Sequence, residues 1–215
     1  SNAYNQIIER NLDSLMDRTK NRPLPAGRMS VTTAFTIASI FTVLGLIVLY
    51  VINPKTAMFG AISIFMYVSL YTPLKTKTPL AVFVGAFPGA IPFMLGWVAA
   101  SGSFSIEPGT LFMIQFFWQF PHFWAIGWWL FDDYKKGGFM MLPSVTTNQN
   151  EITFPILFFT KALIYTSVGI YILNLASYVY VVGAIILGLV FLFYSSNILF
   201  DYSPKSIKRI FLFSI

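Results

Sequence analysis

The chain has 215 residues, of which 56% are hydrophobic and only 10% are charged, and its mean hydropathy is +0.70. Soluble domains are about 25% charged, so this composition excludes an ordinary soluble protein and indicates a polytopic membrane protein. The chain has no cysteine, which excludes disulfide frameworks, cysteine-based zinc sites and thiol nucleophiles. The formal net charge of +6 is carried by loops and indicates membrane orientation rather than nucleic-acid binding.

Six apolar stretches are long enough to cross about 30 Å of hydrocarbon as helices. They lie at residues 31–51, 57–71, 79–100, 111–131, 154–175 and 178–200. Segments 1–11 and 207–215 resemble the end of an earlier helix and the start of a later one. The chain begins without Met or a signal-peptide pattern. We therefore expect one integral-membrane domain over residues 1–215, an all-α transmembrane helical bundle that is truncated at both ends.

Basic residues fall in every second loop of this arrangement. They are Arg18, Lys20, Arg22 and Arg28, then Lys75 and Lys77, then Lys135 and Lys136, and finally Lys205, Lys208 and Arg209. Because positively charged loops stay in the cytoplasm, the pattern predicts a multi-pass protein of the cytoplasmic (inner) membrane with these loops on the inner side.

Five of the eight acidic residues fall in two clusters on the same predicted side: Glu9, Asp13, Asp17, Asp132 and Asp133. Asn5, Glu9 and Asp13 stand four residues apart, and steps of four on an α-helix place them within an arc of about 80°. An amide oxygen and two carboxylates are ligands that Mg²⁺ prefers, completed by water and substrate phosphates. The alternative is a helix end whose charges are merely solvated.

Basic residues follow this motif directly. Arg18, Lys20 and Arg22 come before Pro23 and Pro25, which end a helix and shape a loop. Arg binds phosphate oxygens as a planar fork and Lys as a point charge. Acids, an amide and bases within eighteen residues favour a site for a metal and a diphosphate.

The stretch NQIIERNLDSLMDRTKNRPLPAGR resembles the first signature, NxxxDxxxD, of the UbiA superfamily of intramembrane prenyltransferases. Three further stretches agree in order: YTPLKTKTPL at 71–80, WQFPHFW at 118–124 and DDYKKGGFMMLP at 132–143. The resemblance covers nearly the whole chain and is greatest for the branch that farnesylates protohaem IX. It implies a helical bundle of the UbiA type.

The resemblance also implies roles for single residues. Asn5, Glu9 and Asp13 correspond to the first metal motif, with Glu9 where the superfamily has Asp. Tyr71 and Lys75 form a YxxxK pattern, in which Lys75 would contact diphosphate and Tyr71 would stabilise the leaving group or the allylic cation. From its position alone, Tyr71 is equally an aromatic side chain at the membrane interface.

The second acidic cluster departs from the family pattern, because Asp132 and Asp133 are adjacent where many members have DxxxD. Neighbouring side chains on a helix point about 100° apart, so we expect Asp133 to bind metal and Asp132 to support or cap. The alternative is a cluster of charges at a helix end. Further substrate-binding candidates are basic side chains on the same side: Arg10, Arg18, Lys20, Arg22, Lys77 and Lys135.

His122 is the only histidine, and it lies in an apolar span beside Gln119 and Pro121. Polar groups inside a membrane are costly and suggest function. In a protein that handles haem, His122 would bind or orient the porphyrin. The alternative is a hydrogen bond between helices.

The activity implied by the resemblance is Mg²⁺-assisted transfer of a farnesyl group from farnesyl diphosphate to a vinyl group of haem b. The expected partners are these two substrates and the lipid bilayer, with haem A synthase or terminal oxidase assembly as a further expectation and no nucleic acid. Two alternatives stay open. One is a UbiA-type enzyme with an aromatic acceptor such as 4-hydroxybenzoate or a naphthoate, and the other is a membrane transporter without chemistry.

Overall fold

The computed structural model describes residues 1–140, 142, 146 and 148–215, and no strand occurs in that part of the chain. The helices are α1 (Asn2–Ile8), α2 (Arg10–Asp13), α3 (Val31–Ile52), α4 (Pro54–Phe65), α5 (Thr72–Leu74), α6 (Ala81–Ser101), α7 (Ile106–Trp129), α8 (Phe131–Lys136), α9 (Gln149–Ile172), α10 (Tyr178–Asn197) and α11 (Pro204–Phe213). A π-helical segment, Met66–Tyr71, joins α4 to α5. The all-α prediction is confirmed. Met141 and Pro143, at the end of the predicted DDYKKGGFMMLP motif, lie outside the described residues.

Five helical segments within the described residues are long and apolar enough to cross a membrane. They are Val31–Ile52, Pro54–Leu74, Ala81–Ser101, Gln149–Ile172 and Tyr178–Asn197. The remaining predicted span, residues 111–131, falls largely in α7, which has 24 residues. The polar residues Gln115, Gln119 and His122 lower the mean hydropathy of α7, which is not among these five segments.

Helix α7 lies at the centre of the bundle, where it packs against α6, α9 and α11. Its buried face carries Phe116, Phe120 and Trp124. The ring of Phe120 stacks on that of Phe159 from α9, with centroids 3.8 Å apart and planes 15° apart. Aromatic pairs add about 0.5–1.5 kcal/mol beyond the area they bury, so these rings fix the position of α7.

The outer helices present apolar side chains away from the bundle. On α3, Phe41 and Val51 are 71% and 79% exposed, and on α10 Leu187 is 61% exposed. Such surface is unfavourable in water and suits a hydrocarbon environment. The bundle therefore has the outside of a multi-pass membrane protein.

The π-helical segment has a local cause. Pro73 has no backbone N–H to donate into the preceding turn, and the hydroxyl of Thr72 donates to the carbonyl of Tyr67 at 2.8 Å. Lys75 then follows within one turn of Tyr71, and its amide donates to the Tyr71 carbonyl at 3.2 Å. Single π-helical turns inside α-helices are frequent at functional sites.

Candidate active site

A cavity of about 90 Å³ lies at the end of the bundle that carries the predicted cytoplasmic loops. Its lining residues are Asn5, Glu9, Asp13, Met16, Arg18, Arg22, Tyr71, Lys75, Phe123, Tyr134 and Phe139. The chain thus brings four distant segments together: the first helices with their loop, the π-helical turn, the end of α7, and α8 with the residues after it. We call this the charged cavity.

The predicted metal motif lies on one buried face of this cavity. Asn5, Glu9 and Asp13 are 8%, 4% and 1% exposed. The helix is interrupted at Glu9 (φ −91°, ψ 6°). The spacing of four persists nevertheless, because the amide of Glu9 donates to Asn5 at 2.8 Å and that of Asp13 to Glu9 at 2.7 Å. These three residues are therefore not a solvated helix end.

Each of the two carboxylates has a cationic partner. The ammonium of Lys75 lies 2.6 Å from Glu9 Oε1 and donates to Oε2 at 2.9 Å, whereas Oε1 lacks a hydrogen bond of good geometry. Oε1 therefore forms an ion-pair contact with Lys75 and can still accept a hydrogen bond. Arg22 Nη1 donates to Asp13 Oδ2 at 2.9 Å. Removing one partner of a buried ion pair costs about 3–5 kcal/mol, so the charges hold one another in place.

Two threonines that the sequence analysis missed support this face. Asn5 Nδ2 donates to Thr72 Oγ1 at 3.3 Å, and Thr19 Oγ1 donates to the carbonyl of Asp13 at 2.8 Å. Both hydroxyls are buried. Their position inside the motifs YTPLK and DRTKNRP was the only sequence signal for them.

Tyr71 lies against α6 and beside the cation of the site. The Lys75 ammonium is 5.0 Å from the centroid of the Tyr71 ring and 5.2 Å from that of Phe139. A Cβ on Gly85 of α6 would lie only 2.5 Å from the Tyr71 ring, so glycine is required for this approach. The ring therefore belongs to the cavity and is not an aromatic group free at the interface.

Helix α8 attaches to the first loop through Asp133. Its two carboxylate oxygens accept the backbone amides of Asp17 and Arg18, both at 3.1 Å. Lys136 and Lys20 each lie 2.6 Å from the Asp17 carboxylate, and their hydrogen bonds, that of Lys136 first, lower the pKa of Asp17 to about 2. These contacts hold Arg18 at the cavity wall.

Several predicted site residues do not line the charged cavity. They are Arg10, Lys20, Lys77, His122, Asp132, Asp133 and Lys135. Five of these, the three lysines with Arg10 and Asp132, are exposed. Asp133 lies outside the cavity and accepts hydrogen bonds from backbone amides of the first loop, which forms part of the cavity wall. The backbone capping role expected of Asp132 is thus held by Asp133.

His122 belongs to a separate contact between α7 and α11. Its Nδ1 lies 2.7 Å from Ser214 Oγ, and its ring stacks on Trp118 with centroids 4.5 Å apart. Trp118 Nε1 donates to the Ser214 carbonyl at 2.9 Å. This geometry is that of a hydrogen bond between helices, the alternative given by the sequence.

The donor set of the charged cavity fits Mg²⁺ in part. Within the described residues no three acidic or histidine side chains converge on one point. Two carboxylates and the Asn5 amide line the same cavity, and Mg²⁺ is commonly held by one or two carboxylates with water and phosphate oxygens. Asp133 could join them only by giving up its bonds to the first loop.

The sequence model of the UbiA prenyltransferase family matches residues 1–215. A protein named protoheme IX farnesyltransferase from Christiangramia forsetii is 67% identical over 100% of this chain and 73% of its own length. A protein of the same name from Flavobacterium psychrophilum is 60% identical over the same shares.

Two solved structures share the fold. A digeranylgeranylglyceryl phosphate synthase superposes with a TM-score of 0.81 at 20% identity, covering 99% of this chain and 74% of that one. A UbiA homolog from Aeropyrum pernix K1 has a TM-score of 0.76 at 18% identity and covers 99% and 79%. At such identity the likeness concerns the fold alone.

Proposed function

Because the chain belongs to the UbiA prenyltransferase family, we propose that it is a protohaem IX farnesyltransferase. It transfers the farnesyl group of farnesyl diphosphate to a vinyl group of haem b and gives haem O and diphosphate. The observation that carries this proposal is the identity of 67% and 60%, over the whole chain, to relatives of that name. Haem O then serves haem A and terminal oxidase biogenesis, with haem A synthase as a candidate partner.

The charged cavity binds the diphosphate end of the substrate in this proposal. Arg18 and Arg22 line it beside Lys75, and guanidinium and ammonium groups suit phosphate oxygens. Burial lowers the pKa of Lys75, while the Glu9 carboxylate acts in the opposite direction. The ion pair with Glu9 therefore keeps a cation ready at a site that would otherwise disfavour it.

Asn5, Glu9 and Asp13 are the residues proposed to hold Mg²⁺, and Asp133 is proposed either to join them or to act through the first loop. Bound there, the ion would neutralise charge on the diphosphate and make it a better leaving group. Glu9 Oε1 is buried and already lies 2.6 Å from the Lys75 ammonium, so a metal ion bound there would share this carboxylate with Lys75 or displace it.

The transfer then depends on the groups around the cleaved bond. As the farnesyl C1–oxygen bond breaks, its electron pair goes to the diphosphate, where Arg22 and Lys75 stabilise the charge. The Tyr71 ring offers its face to the allylic cation. A vinyl group of haem b attacks C1, and water adds to the cation left on the porphyrin side chain. The apolar walls exclude bulk water from this intermediate.

The charged loops support the proposed membrane orientation. The cavity lies at the end of the bundle that carries Arg18, Arg22 and Lys75, and basic loops remain on the inner side. We therefore place the active site at the cytoplasmic face of the inner membrane. A transporter would place coupling residues near the midplane, which disfavours that alternative, and the named relatives disfavour an aromatic acceptor.

The test uses the protein at its natural length in liposomes, supplied with haem b, farnesyl diphosphate and Mg²⁺, with extracted haem analysed by mass spectrometry. Asp13→Asn and Lys75→Met are expected to lose at least about 100-fold in rate. Glu107→Gln, at an acid that accepts a hydrogen bond from Ser105 at the opposite end of α7, is the matched control and retains the rate. Unchanged haem from folded wild-type protein would refute the function, and aromatic acceptors would be tried next.

A further inference from the structure

A second, larger cavity of about 150 Å³ adjoins the charged one. The two cavities share Tyr71 and Phe123, and Gln119 lines only the second. The other walls of the second cavity are Val82, two glycines and three aromatic rings, of which Tyr67 and Tyr71 also carry hydroxyl groups. Gln119 is the one amide side chain among the lining residues, and it lies next to the charged cavity in which the farnesyl bond would break.

The orientation of this amide is fixed. Gln119 is 3% exposed, and its Nε2 donates to the carbonyls of Ala86 at 2.9 Å and Gln115 at 3.2 Å. Both amide hydrogens are thereby used. The oxygen faces Gly89, where a Cβ would lie only 2.0 Å from Gln119 Oε1. The glycine thus makes room for an acceptor oxygen at the cavity wall.

The proposed reaction needs such an acceptor at its last step. Attack by the vinyl group forms a carbon–carbon bond, releases diphosphate with the electron pair, and leaves a positive charge on the vinyl carbon next to the porphyrin ring. That cation either takes up water, whose proton passes to the diphosphate, or loses a proton and becomes an alkene. Water addition requires one water molecule held at the cation in a site that excludes the bulk.

We propose that Gln119 holds this water through Oε1, an inference that rests on the proposed function. A liquid water molecule occupies about 30 Å³, so the second cavity of about 150 Å³ has room for it. The water donates one hydrogen to Gln119 Oε1, which directs its lone pair to the cation. Gly89 acts as a positioning residue, because it keeps Oε1 at the wall.

The experiment measures the product and not only the rate. Wild type, Gln119→Leu and Gly89→Ala, each at natural length in liposomes, receive haem b, farnesyl diphosphate and Mg²⁺ in ¹⁸O-labelled water. The ratio of the alkene adduct, lighter by one water, to the labelled hydroxyl adduct is expected to rise about tenfold in both variants, the effect of losing one hydrogen bond. Gln115→Leu, one turn away on α7, is the matched control and keeps the wild-type ratio.

The outcomes separate the inference from the function. If wild type forms the hydroxyl adduct and both variants form it in an unchanged ratio, even at a lower rate, Gln119 only braces α6 against α7 or stabilises the cation, and the inference is overturned. If folded wild type forms no farnesyl adduct, the proposed function fails and the inference fails with it. If Gln119→Leu does not fold, Gly89→Ala alone decides, because its new methyl group displaces only the end of a flexible side chain.

Discussion

The charged cavity and the polar cluster around His122 differ in how many parts of the chain meet in each. The charged cavity joins four segments and buries two carboxylates against Lys75 and Arg22. The cluster around His122 joins only α7 and the end of α11, through the hydrogen bonds that His122 and Trp118 form with Ser214. The sequence predicts a functional role for both clusters, because each places polar groups in apolar surroundings. Convergence of several segments, rather than polarity alone, marks the active site.

The largest loss of stability is expected when one charge of the charged cavity is removed. Lys75→Met leaves Glu9 buried without its cation and should cost about 3–5 kcal/mol of stability. The double variant Glu9→Gln with Lys75→Met should regain much of that loss, because no unpaired charge remains. Neither variant should regain activity, since the phosphate-binding cation is absent in both.

Thermal unfolding in detergent and farnesyl transfer in liposomes measure the two quantities separately. Lys55→Met is the control, because that lysine is exposed and donates to the carbonyl of Gly102 at the opposite end. Recovery of activity together with stability in the double variant would mean that the ion pair only supports the fold.

A smaller effect is expected at the second cluster. His122→Phe and Ser214→Ala each remove the same hydrogen bond and should each cost about 0.5–1.5 kcal/mol of stability. The double variant should cost little more than either single one. Transfer rates of all three should stay within about tenfold of wild type. A far larger loss of transfer in His122→Phe than in Ser214→Ala would instead establish His122 as a haem contact.

The smallest effect concerns the exposed ion pairs of Asp17. Its pKa is lowered to about 2 from 3.8 in the unfolded chain, so its stabilisation is fully present above pH 3.8 and is lost as the pH falls towards 2. The groups are exposed, hence the contribution is small and decreases with salt. Melting temperatures of wild type and Asp17→Asn, measured from pH 6 downwards at low salt, should converge. A constant difference would show that no proton is involved.

Much of the fold could be predicted from the sequence because membrane spans are set by composition and length. The apolar runs identified five spans, including Val31–Ile52 and Tyr178–Asn197. The role of α7 as the central helix could not be derived this way. Its glutamines and its histidine lower its hydropathy, and only packing against α6 and α9 reveals its place.

The candidate site was predictable where its residues repeat at helical spacing. Asn5, Glu9 and Asp13 share one buried face, as the spacing of four indicates. The sequence did not reveal that Asp133 binds backbone amides of the first loop, because that contact joins positions more than a hundred residues apart. The supporting hydroxyl of Thr72 was missed for the same reason.

The π-helical turn at Met66–Tyr71 also limits how this protein can change in length. Removing one residue there would restore an ordinary helix and rotate everything before it by about 100° relative to Lys75. Tyr67 would then leave the wall of the second cavity, and Ser63 would lose its hydrogen bond to the carbonyl of Pro88. The turn is therefore a position where insertions and deletions are excluded, whereas the loop at residues 102–105 on the opposite side can vary in length.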